Sequence, residues 1–259
     1  MQVLEEVRAI KFSDGGLLVK TLTSDEELRE SYRLRHRVFA ERLKWVPKSS
    51  DRLEVDSYDP YSSTVGLFDE EQCLRGVFRM VSSAHPFMLE HEFRPCLLPG
   101  CEIRKEADTV EITRLALDPS LMDKGLSIRY MQVLYKGVYQ WCLQNEARFL
   151  YMVVEKRFLR VLRGMGFTCD PISPAVALPP AEALSIAAVL DWNRFEETCP
   201  QKQPEFFRWI NMAAGQTAFE KSSFLALDPK VRVSRDVAQE AARQLQPTRL
   251  EANRKLVAA

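Results

Sequence analysis

The sequence predicts a single α/β domain that continues into a helical extension. Short apolar runs alternate with segments of helical period in the order β-α-β-β-β-α-β-α-β-β. One run, ARFLYMVV at 147–154, is almost wholly apolar, which is typical of a central strand covered on both faces. From Arg194 onward the chain is polar with helical period. We therefore assign residues 1–194 to the α/β domain and 195–259 to a helical extension of unassigned role.

The first half of the chain predicts four strands and one helix. Gly15 and Gly16 introduce the first strand, and Ser24 with Glu27 is a capping box that begins the helix. Two apolar runs separated by an acidic turn indicate a β-hairpin. In chain order the elements are strand 17–23, a helix from Ser24 to about Leu43, a polar loop at 47–62, hairpin strands 63–69 and 73–82, and a strand at 109–118.

The second half predicts two helices between strands. The longer helix has apolar residues at helical spacing, and the shorter one is amphipathic and ends at a glycine. In chain order the elements are a helix at 127–145, strand 147–154, a helix at 156–167, and closing strands at 175–178 and 184–192.

Composition excludes several broad classes. Lysine plus arginine equal aspartate plus glutamate at 36 each, so no net charge points to nucleic acid or a membrane surface. The start lacks the features of a secretory signal, and no apolar run is long enough to span a bilayer. We therefore expect a cytoplasmic protein whose six cysteines are reduced. The cluster of His85, His91, Cys96 and Cys101 fits no standard zinc spacing, so no metal is expected.

Polar residues on the first helix form the first of three candidate groups. Arg35 and Phe39 are four residues apart and share a face, and Trp45 follows just beyond the helix. An arginine on a face that also carries core residues needs an anionic partner or a ligand. The alternative is a solvated helix with Trp45 as a core anchor.

The second group is an acidic loop. Glu54, Asp56 and Asp59 lie close in sequence and would repel one another unless a cation lies among them. An arginine, a metal ion or a cationic ligand would each serve, and a solvated acidic loop is the alternative.

The third group lies in the predicted sheet. Simple alternation puts Glu111 and Thr113 on one face of their strand and Ile112 and Arg114 on the other. Arg79, in the hairpin, is another charged residue in an apolar strand. Such charges are costly to bury without partners, so they indicate either a site or a structural ion-pair network.

Together these groups resemble the acyl-homoserine-lactone synthase (autoinducer synthase) family, a relative of the GCN5-related N-acetyltransferases (GNAT). The resemblance covers about residues 16–194, and the stretch PFMLEHEF adds Phe93 at the family's aromatic position. It implies a GNAT-like mixed central sheet flanked by helices in three αβα layers. The extension from Phe195 departs from that family. The matching signature positions are Arg35, Phe39, Trp45, Asp56, Asp59, Arg79, Glu111 and Arg114.

The resemblance implies an acyltransferase that makes a quorum-sensing signal. Such an enzyme acylates the α-amino group of S-adenosylmethionine from an acyl thioester. The methionine carboxylate then attacks its own γ-carbon, which closes N-acyl-L-homoserine lactone and releases methylthioadenosine. S-adenosylmethionine is thus a substrate, and no cofactor is expected.

The catalytic residues that the resemblance implies are Glu111, Arg79 and Arg114. An α-amino group, with a pKa of about 7.7–8.0, must lose a proton before it attacks, and Glu111 is the candidate general base. We expect Asp56 and Asp59 to form an ion-pair network with Arg79 and Arg114. The sequence leaves open which acid meets which arginine.

The S-adenosylmethionine site is expected in the amino-terminal part. Arg35 is the expected partner of the substrate carboxylate. Phe39 and Trp45 offer aromatic faces to the sulfonium, and Asp56 and Asp59 add charge complementarity.

The acyl donor is expected on an acyl carrier protein, with acyl-coenzyme A left open. In acetyltransferases the donor's phosphates bind backbone amides at the start of the helix that follows the strand corresponding to 109–118. The corresponding segment here, MDKGLS (122–127), lacks the full glycine-rich loop of those enzymes. A loop without those glycines favours the single phosphate of a carrier protein's arm over coenzyme A with its additional nucleotide. Lys156, Arg160 and Arg163 form a basic stripe opposite an apolar face, and this stripe is a candidate dock for an acidic carrier protein. A solvated helix face is the alternative.

Phe93 and Met152 are assigned to the acyl pocket. In the family, synthases of 3-oxo signals commonly carry a threonine where the alignment of LYMVV (150–154) places Met152. Methionine donates no strong hydrogen bond, so we expect an unsubstituted, branched or aryl chain over a 3-oxo chain.

Two other functions stay open. One is a sister acyltransferase for another amino compound, of the exosortase-associated or N-acyl-amino-acid synthase type. Trp45 and the paired aspartates favour the lactone synthase over it. The other is a non-catalytic acyl-carrier-binding module, and Glu111 with Arg114 argues against it because a module without catalysis has no need of buried charges.

Overall fold

The centre of the protein is a mixed β-sheet. The computed structural model describes residues 7–180 and 183–212. Neighbouring strands in the sheet follow the order β1-β2-β3-β4-β5-β6-β9-β7, with β8 paired to β9. Among the described strand pairs, β5 with β6 is parallel and the others are antiparallel. The strands are β1 (Lys11–Asp14), β2 (Leu17–Thr21), β3 (Ser62–Phe68), β4 (Leu74–Ser82), β5 (Thr109–Leu117), β6 (Phe149–Glu155), β7 (Cys169–Pro171), β8 (Val176–Ala177) and β9 (Leu184–Asp191).

Helices cover both faces of this sheet. They are α1 (Asp25–Arg35), α2 (Lys124–Gln144), α3 (Lys156–Gly164), α4 (Trp192–Lys202) and α5 (Pro204–Asn211). We call the side that carries Val77 and Val81 the α1 face, because Val77 packs against α1. Phe78 and Met80 point to the opposite side, the α2 face, where α2 to α5 enclose the largest core. The fold is therefore the expected three-layer αβα arrangement.

The first helix begins and ends as predicted but changes type along its length. The Ser24 hydroxyl accepts from the amide of Glu27 at 3.3 Å. The Glu27 carboxylate instead pairs with Lys20, so the capping box is made on one side. After Arg35 the helix continues as a π-helix over His36–Arg42. This segment carries Phe39 into the small core around Val77.

The remaining predicted elements are confirmed, and the structure adds two short strands. β1 was missed because its sequence, KFSD, is mostly polar and gains its partner only through the Gly15-Gly16 turn. Both glycines there have positive φ, which suits that turn. β7 was missed because it has three residues and ends in a proline.

The described part of the carboxyl-terminal extension belongs to the main core. The predicted boundary between Arg194 and Phe195 falls inside α4. Phe195 and Trp209 are buried in the core cluster on the α2 face. The Asp14 carboxylate accepts from Lys136 Nζ and from Trp209 Nε1, each at 2.9 Å, and so ties α5 to α2. Residues 213–259 of the predicted extension lie outside the described residues.

Two further sequence expectations concern the membrane and metals. No helix within 7–180 and 183–212 has the length and apolarity to cross a bilayer. The six cysteines are free thiols. Across the described ranges, the His, Cys, Asp and Glu side chains that come within metal-sharing distance are those of Asp69, Glu71 and Cys73. In this group Asp69 is already held by Arg75 and by the amides of residues 71 and 73.

Candidate active site

The candidate site forms where β5 and β6 separate. Their parallel pairing ends at Ile112 and Met152. Beyond that point the register of β4 with β5 shifts between Val77 and Arg79, and Arg114 adopts a left-handed φ of +54°. Such a β-bulge turns the strand away from its neighbour. The gap opens into a cavity of about 550 Å³ that reaches both faces of the sheet.

The bulge corrects the predicted direction of Arg114. Simple alternation put Arg114 opposite Glu111 and Thr113, but the extra residue returns its side chain to the α1 face. There Arg79 Nε donates to Thr113 Oγ1 at 2.9 Å. The guanidinium groups of Arg79 and Arg114 both approach the sulfur of Met88, at 3.3 and 3.5 Å. Glu111, Thr113 and the two arginines therefore share one side of the sheet.

On this side, three arginines interlock with the acidic loop. Arg79 makes a two-pronged contact with Asp56, with Nη2 at 2.9 Å from Oδ2, and also donates to Asp59 at 2.8 Å. Arg114 donates to Glu54 and to Asp56, each at 2.8 Å. The predicted network of Asp56, Asp59, Arg79 and Arg114 is thereby confirmed. Glu54 is a further member of this network, for which no pairing was predicted although it lies in the acidic loop.

The third arginine, Arg35, does not have the predicted role. Its side chain is 1% exposed. Its Nε donates to Glu54, and its two terminal nitrogens donate to Asp59 at 2.6 and 3.1 Å. Burial alone would lower the pKa of this guanidinium, but Asp59 and Glu54 outweigh it and raise the pKa. Arg35 is a buried strut between α1 and the acidic loop, and its charge is already paired with Glu54 and Asp59.

The charges of this network balance. Three arginines face three carboxylates, so the acidic loop keeps no excess charge for a cationic ligand. Burial alone would raise the pKa of Asp56, but the hydrogen bond and charge of Arg79 and the charge of Arg114 outweigh it and lower the pKa. The cation that the sequence required among these acids is therefore arginine.

Glu111 lies beside the network and differs from its members. It is 1% exposed, and no arginine of the described residues forms a hydrogen bond or ion pair with it. Its Oε2 accepts from the amide of Met88 at 2.6 Å and its Oε1 from that of Leu89 at 2.8 Å. Burial raises the pKa of Glu111 to about 7 against the lowering effect of these two amides. Met88 and Leu89 were missed as site residues because they act through backbone amides, which carry no sequence signal.

Phe39 and Trp45 lie at the wall of the cavity near the π-helix. Their rings stack with centroids 6.1 Å apart. Phe39 is buried, and its face is taken by the guanidinium of Arg114 at 5.5 Å. Trp45 is 37% exposed and keeps an accessible surface. Of the two predicted aromatic faces, Trp45 is the one open to a ligand.

The cavity connects the two faces of the sheet. On the α1 face it is lined by Met88, Phe93 and Glu111, and on the α2 face by Met152, Tyr135 and Phe158 among others. Glu111 and Met152 point to opposite sides because they occupy alternate positions of paired strands. Phe93 and Met152 thus lie where an acyl-pocket assignment requires, at the wall of an apolar cavity.

The two predicted docking features have different geometries. α3 exposes Lys156, Arg160 and Arg163, while Phe158 and Leu162 on its other side are buried. The start of α2 is already capped, because the Asp123 carboxylate accepts from the amide of Leu126 at 2.7 Å. An anionic cap at this position leaves one amide fewer for a phosphate and repels it, contrary to the expectation for segment 122–127.

Known proteins resemble this chain in both sequence and fold. The family model described as autoinducer synthase matches residues 19–197. The chain belongs to the autoinducer synthase family. An acyl-homoserine-lactone synthase of Aeromonas salmonicida is 33% identical over 167 residues, covering 62% of this chain and 80% of that protein. One of Rhizobium radiobacter is 27% identical over 196 residues, covering 71% and 91%.

Solved autoinducer synthases have the same architecture. A CoA-dependent acyl-homoserine lactone synthase, BjaI, with SAM and isopentyl-CoA has a TM-score of 0.59 at 21% identity, covering 85% of this chain and 92% of that one. That agreement extends to the fold, including the mixed sheet and the flanking helices. As a member of this family the chain is an acyltransferase, and the network and the cavity are the parts of it available for chemistry.

Proposed function

We propose that this autoinducer synthase joins S-adenosylmethionine to a carrier-bound acyl group in the cytoplasm and releases N-acyl-L-homoserine lactone. The amino group of S-adenosylmethionine attacks the thioester carbon, the C–S bond breaks, and the thiol leaves with a proton. The methionine carboxylate then displaces methylthioadenosine at the γ-carbon and closes the lactone. S-adenosylmethionine carries its own leaving group, so the proposed reaction needs no cofactor.

The observation that carries this proposal is a buried carboxylate of raised pKa at the wall of the cavity. The pKa of Glu111, about 7, is close to the pKa of about 7.7–8.0 for an α-amino group. A base so matched removes the proton at neutral pH with little energetic penalty. Each Glu111 oxygen accepts one backbone amide and keeps a further lone pair for the amine, directly or through a water.

Arg79 and Arg114 support this chemistry as positioning residues. Their guanidinium groups hold the acidic loop and the sulfur of Met88, whose amide in turn holds Glu111. Loss of either arginine would leave three carboxylates facing two arginines, with one negative charge uncompensated. We assign them to fixing the base and the loop rather than to contact with the reacting atoms.

Arg42 is our replacement for Arg35 as the partner of the substrate carboxylate. It ends the π-helix, lines the cavity near Trp45, and donates through Nη1 to the carbonyl of Pro119 at 3.2 Å. Its Nε is buried and has no hydrogen-bond partner among the described residues. Arg42→Ala should therefore raise the KM for S-adenosylmethionine about tenfold or more and leave the KM for the acyl donor unchanged. A rise confined to the acyl donor would reassign Arg42 to that substrate.

The acyl chain is assigned to the α2 side of the cavity, past Met152, and Phe93 lines the α1 side of the same cavity. The thioester then sits in the gap between β5 and β6, near Glu111. We propose an acyl carrier protein as the donor's carrier, because the exposed stripe Lys156, Arg160 and Arg163 offers positive charge to an acidic partner. Comparison of acyl-carrier-protein and acyl-coenzyme A donors, each with a common acyl chain, tests this choice.

Product identification tests the function as a whole. The purified full chain is incubated with S-adenosylmethionine and acyl donors, and methylthioadenosine and N-acyl-homoserine lactone are followed by mass spectrometry. We expect the two products in equal amounts, and Glu111→Gln should abolish both. An N-acyl product on another amine would instead identify a sister acyltransferase, and thioester binding without any product would identify a non-catalytic module.

A further inference from the structure

One hydroxyl on the α2 side of the cavity has no role in the chemistry above. Tyr135, in the middle of α2, is 6% exposed and lines the cavity. Within residues 7–180 and 183–212 no atom hydrogen-bonds to its phenol oxygen. Because Tyr135 lines the cavity, a hydroxyl without a protein partner can donate to a molecule that occupies the cavity.

The other buried tyrosine of α2 shows the contrast. Tyr139, one helical turn later, places its hydroxyl between Glu196 and Asn211, at 2.8 and 2.6 Å. Tyr139 does not line the cavity. The partnered hydroxyl thus meets side chains of α4 and α5, and the unpartnered one belongs to the residue at the cavity wall.

The ring of Tyr135 is held in place by other aromatic residues. It packs edge-on against Phe167 at 5.7 Å and lies tilted against Phe158 at 6.3 Å. Both also line the cavity, together with Leu162. This end of the cavity is therefore rigid and apolar, with one hydroxyl. Burial raises the pKa of Tyr135, so the phenol stays protonated and acts as a donor.

The position of Tyr135 relative to Glu111 decides which part of an acyl chain it meets. Glu111 points to the α1 face, and Met152 lines the gap between the strands from the α2 face. Tyr135 belongs to the helix layer beyond that gap. A chain that enters with its thioester near Glu111 passes Met152 first and reaches Tyr135 with its distal part.

We propose that Tyr135 is a specificity-determining residue, which donates a hydrogen bond to an oxygen carried by the acyl chain beyond its third carbon. The inference rests on the proposed function, since it assumes that the cavity holds the acyl group of the donor. The expected substrates are acyl chains, aliphatic or aryl, that carry a keto, hydroxyl or ether oxygen at a distal carbon. It is compatible with a poor fit for 3-oxo chains, because Met152 offers no donor nearer the thioester.

Tyr135→Phe tests the proposal, because it removes the hydroxyl and keeps the ring contacts with Phe158 and Phe167. Donors of equal chain length are compared: unsubstituted, 3-oxo, and with an oxygen at a distal carbon. We expect the wild-type chain to prefer a distal-oxygen donor over the unsubstituted one by about tenfold or more in kcat/KM, and Tyr135→Phe to abolish that preference. Tyr139→Phe is the matched control and should keep the wild-type preference.

Stability gives a second reading that is independent of catalysis. Tyr135→Phe removes no hydrogen bond from the free protein, so its urea midpoint should equal or exceed that of the wild type. Tyr139→Phe loses two bonds and should have a lower midpoint. A lower midpoint for Tyr135→Phe would reveal a structural partner for its hydroxyl and overturn the proposal.

The outcomes separate this inference from the proposed function. If wild type and Tyr135→Phe both turn over unsubstituted donors and show the same preferences among all donors, Tyr135 does not determine specificity. Lactone synthesis, as proposed, then still stands. Absence of lactone and methylthioadenosine with every donor overturns the proposed function itself. A preference for the 3-oxo donor that Tyr135→Phe removes would place the hydroxyl nearer the thioester and contradict the distal assignment.

Discussion

Replacement of Glu111 by glutamine makes the raised pKa of this group measurable as stability. Burial raises the pKa from its ordinary 4.5 to about 7 in the folded protein. The folded state therefore holds this proton more tightly than the unfolded chain does. The resulting stabilisation is complete below pH 4.5 and is lost as the pH rises through 7.

The size of the effect follows from that pKa difference. Each pH unit between the folded and unfolded pKa is worth about 1.4 kcal/mol, so ionisation of Glu111 costs the folded state about 3 kcal/mol by pH 8. Glutamine does not titrate. The free energy of unfolding of the wild type, relative to Glu111→Gln, should therefore fall by about 3 kcal/mol between pH 4.5 and pH 8. The absolute stability of the variant does not enter, because only the change with pH is compared.

Urea unfolding of both proteins at half-unit steps of pH measures this difference. Glu90→Gln is the control, because Glu90 follows Met88 and Leu89 in the short 3-10 turn Met88–Glu90. The pKa of Glu90 is lowered, so its contribution to stability is lost only at acid pH and should be constant from pH 5 to 8. In parallel, product formation by the wild type should rise about tenfold per pH unit below pH 7 and level off above it. The raised pKa is contradicted if the free energy of unfolding of the wild type, relative to Glu111→Gln, stays constant or increases from pH 4.5 to pH 8. The amides of Met88 and Leu89 would then outweigh burial, and the pKa of Glu111 would not be raised.

Three further predictions concern the network, the aromatic wall and the basic stripe. Arg35→Met should lower the free energy of unfolding by about 3–5 kcal/mol in urea titration, because it leaves three carboxylates facing two arginines, whereas Arg33→Ala on the exposed side of α1 should change it by about 0.5 kcal/mol or less; equal effects would refute the buried network. Trp45→Ala should raise the KM for S-adenosylmethionine about tenfold through loss of an aromatic contact with the sulfonium, with the KM of the acyl donor unchanged; an effect on the donor alone contradicts this. Charge reversal of Lys156 and Arg160 to glutamate should impair a carrier-protein donor, spare a small thioester analogue, and recover as salt rises; equal losses with both donors would make the stripe structural.

The sequence predicts most of this fold because its main elements have strong local signals. The apolar run of β6 indicates a strand covered on both faces, and the structure places it between β5 and β9 with helices or loops on each side. β1 and β7 lack such signals, since each is short and becomes a strand only through its partner. The extension was separated from the domain because its polar residues dominate the pattern. Its buried residues Phe195 and Trp209 show their role only when α2 lies beside them.

The site was predictable in its membership but not in its pairing. Alternation along β5 gave the wrong face for Arg114, because a β-bulge depends on how β5 pairs with the neighbouring strand. The sequence VEITRLAL contains no glycine or asparagine that would indicate a left-handed φ. Arg35 and Asp59 are far apart in sequence, so their contact depends on where the loop folds back. The amides that hold Glu111 come from the backbone of Met88 and Leu89, and a side-chain motif does not reveal them.

The balance of charge in the site determines which residues remain for the substrate. The network pairs three arginines with three carboxylates, so these six groups neutralise one another inside the protein. They are Arg35, Arg79 and Arg114 with Glu54, Asp56 and Asp59. S-adenosylmethionine nevertheless brings a carboxylate and a sulfonium, and each needs a partner once it leaves water. The accessible face of Trp45 suits the sulfonium, and the buried, unsatisfied Nε of Arg42 suits the carboxylate. The arginines and acids of the network therefore build the frame of the site, and substrate recognition falls to the end of the π-helix, where the sequence pattern drew attention to Trp45 but not to Arg42.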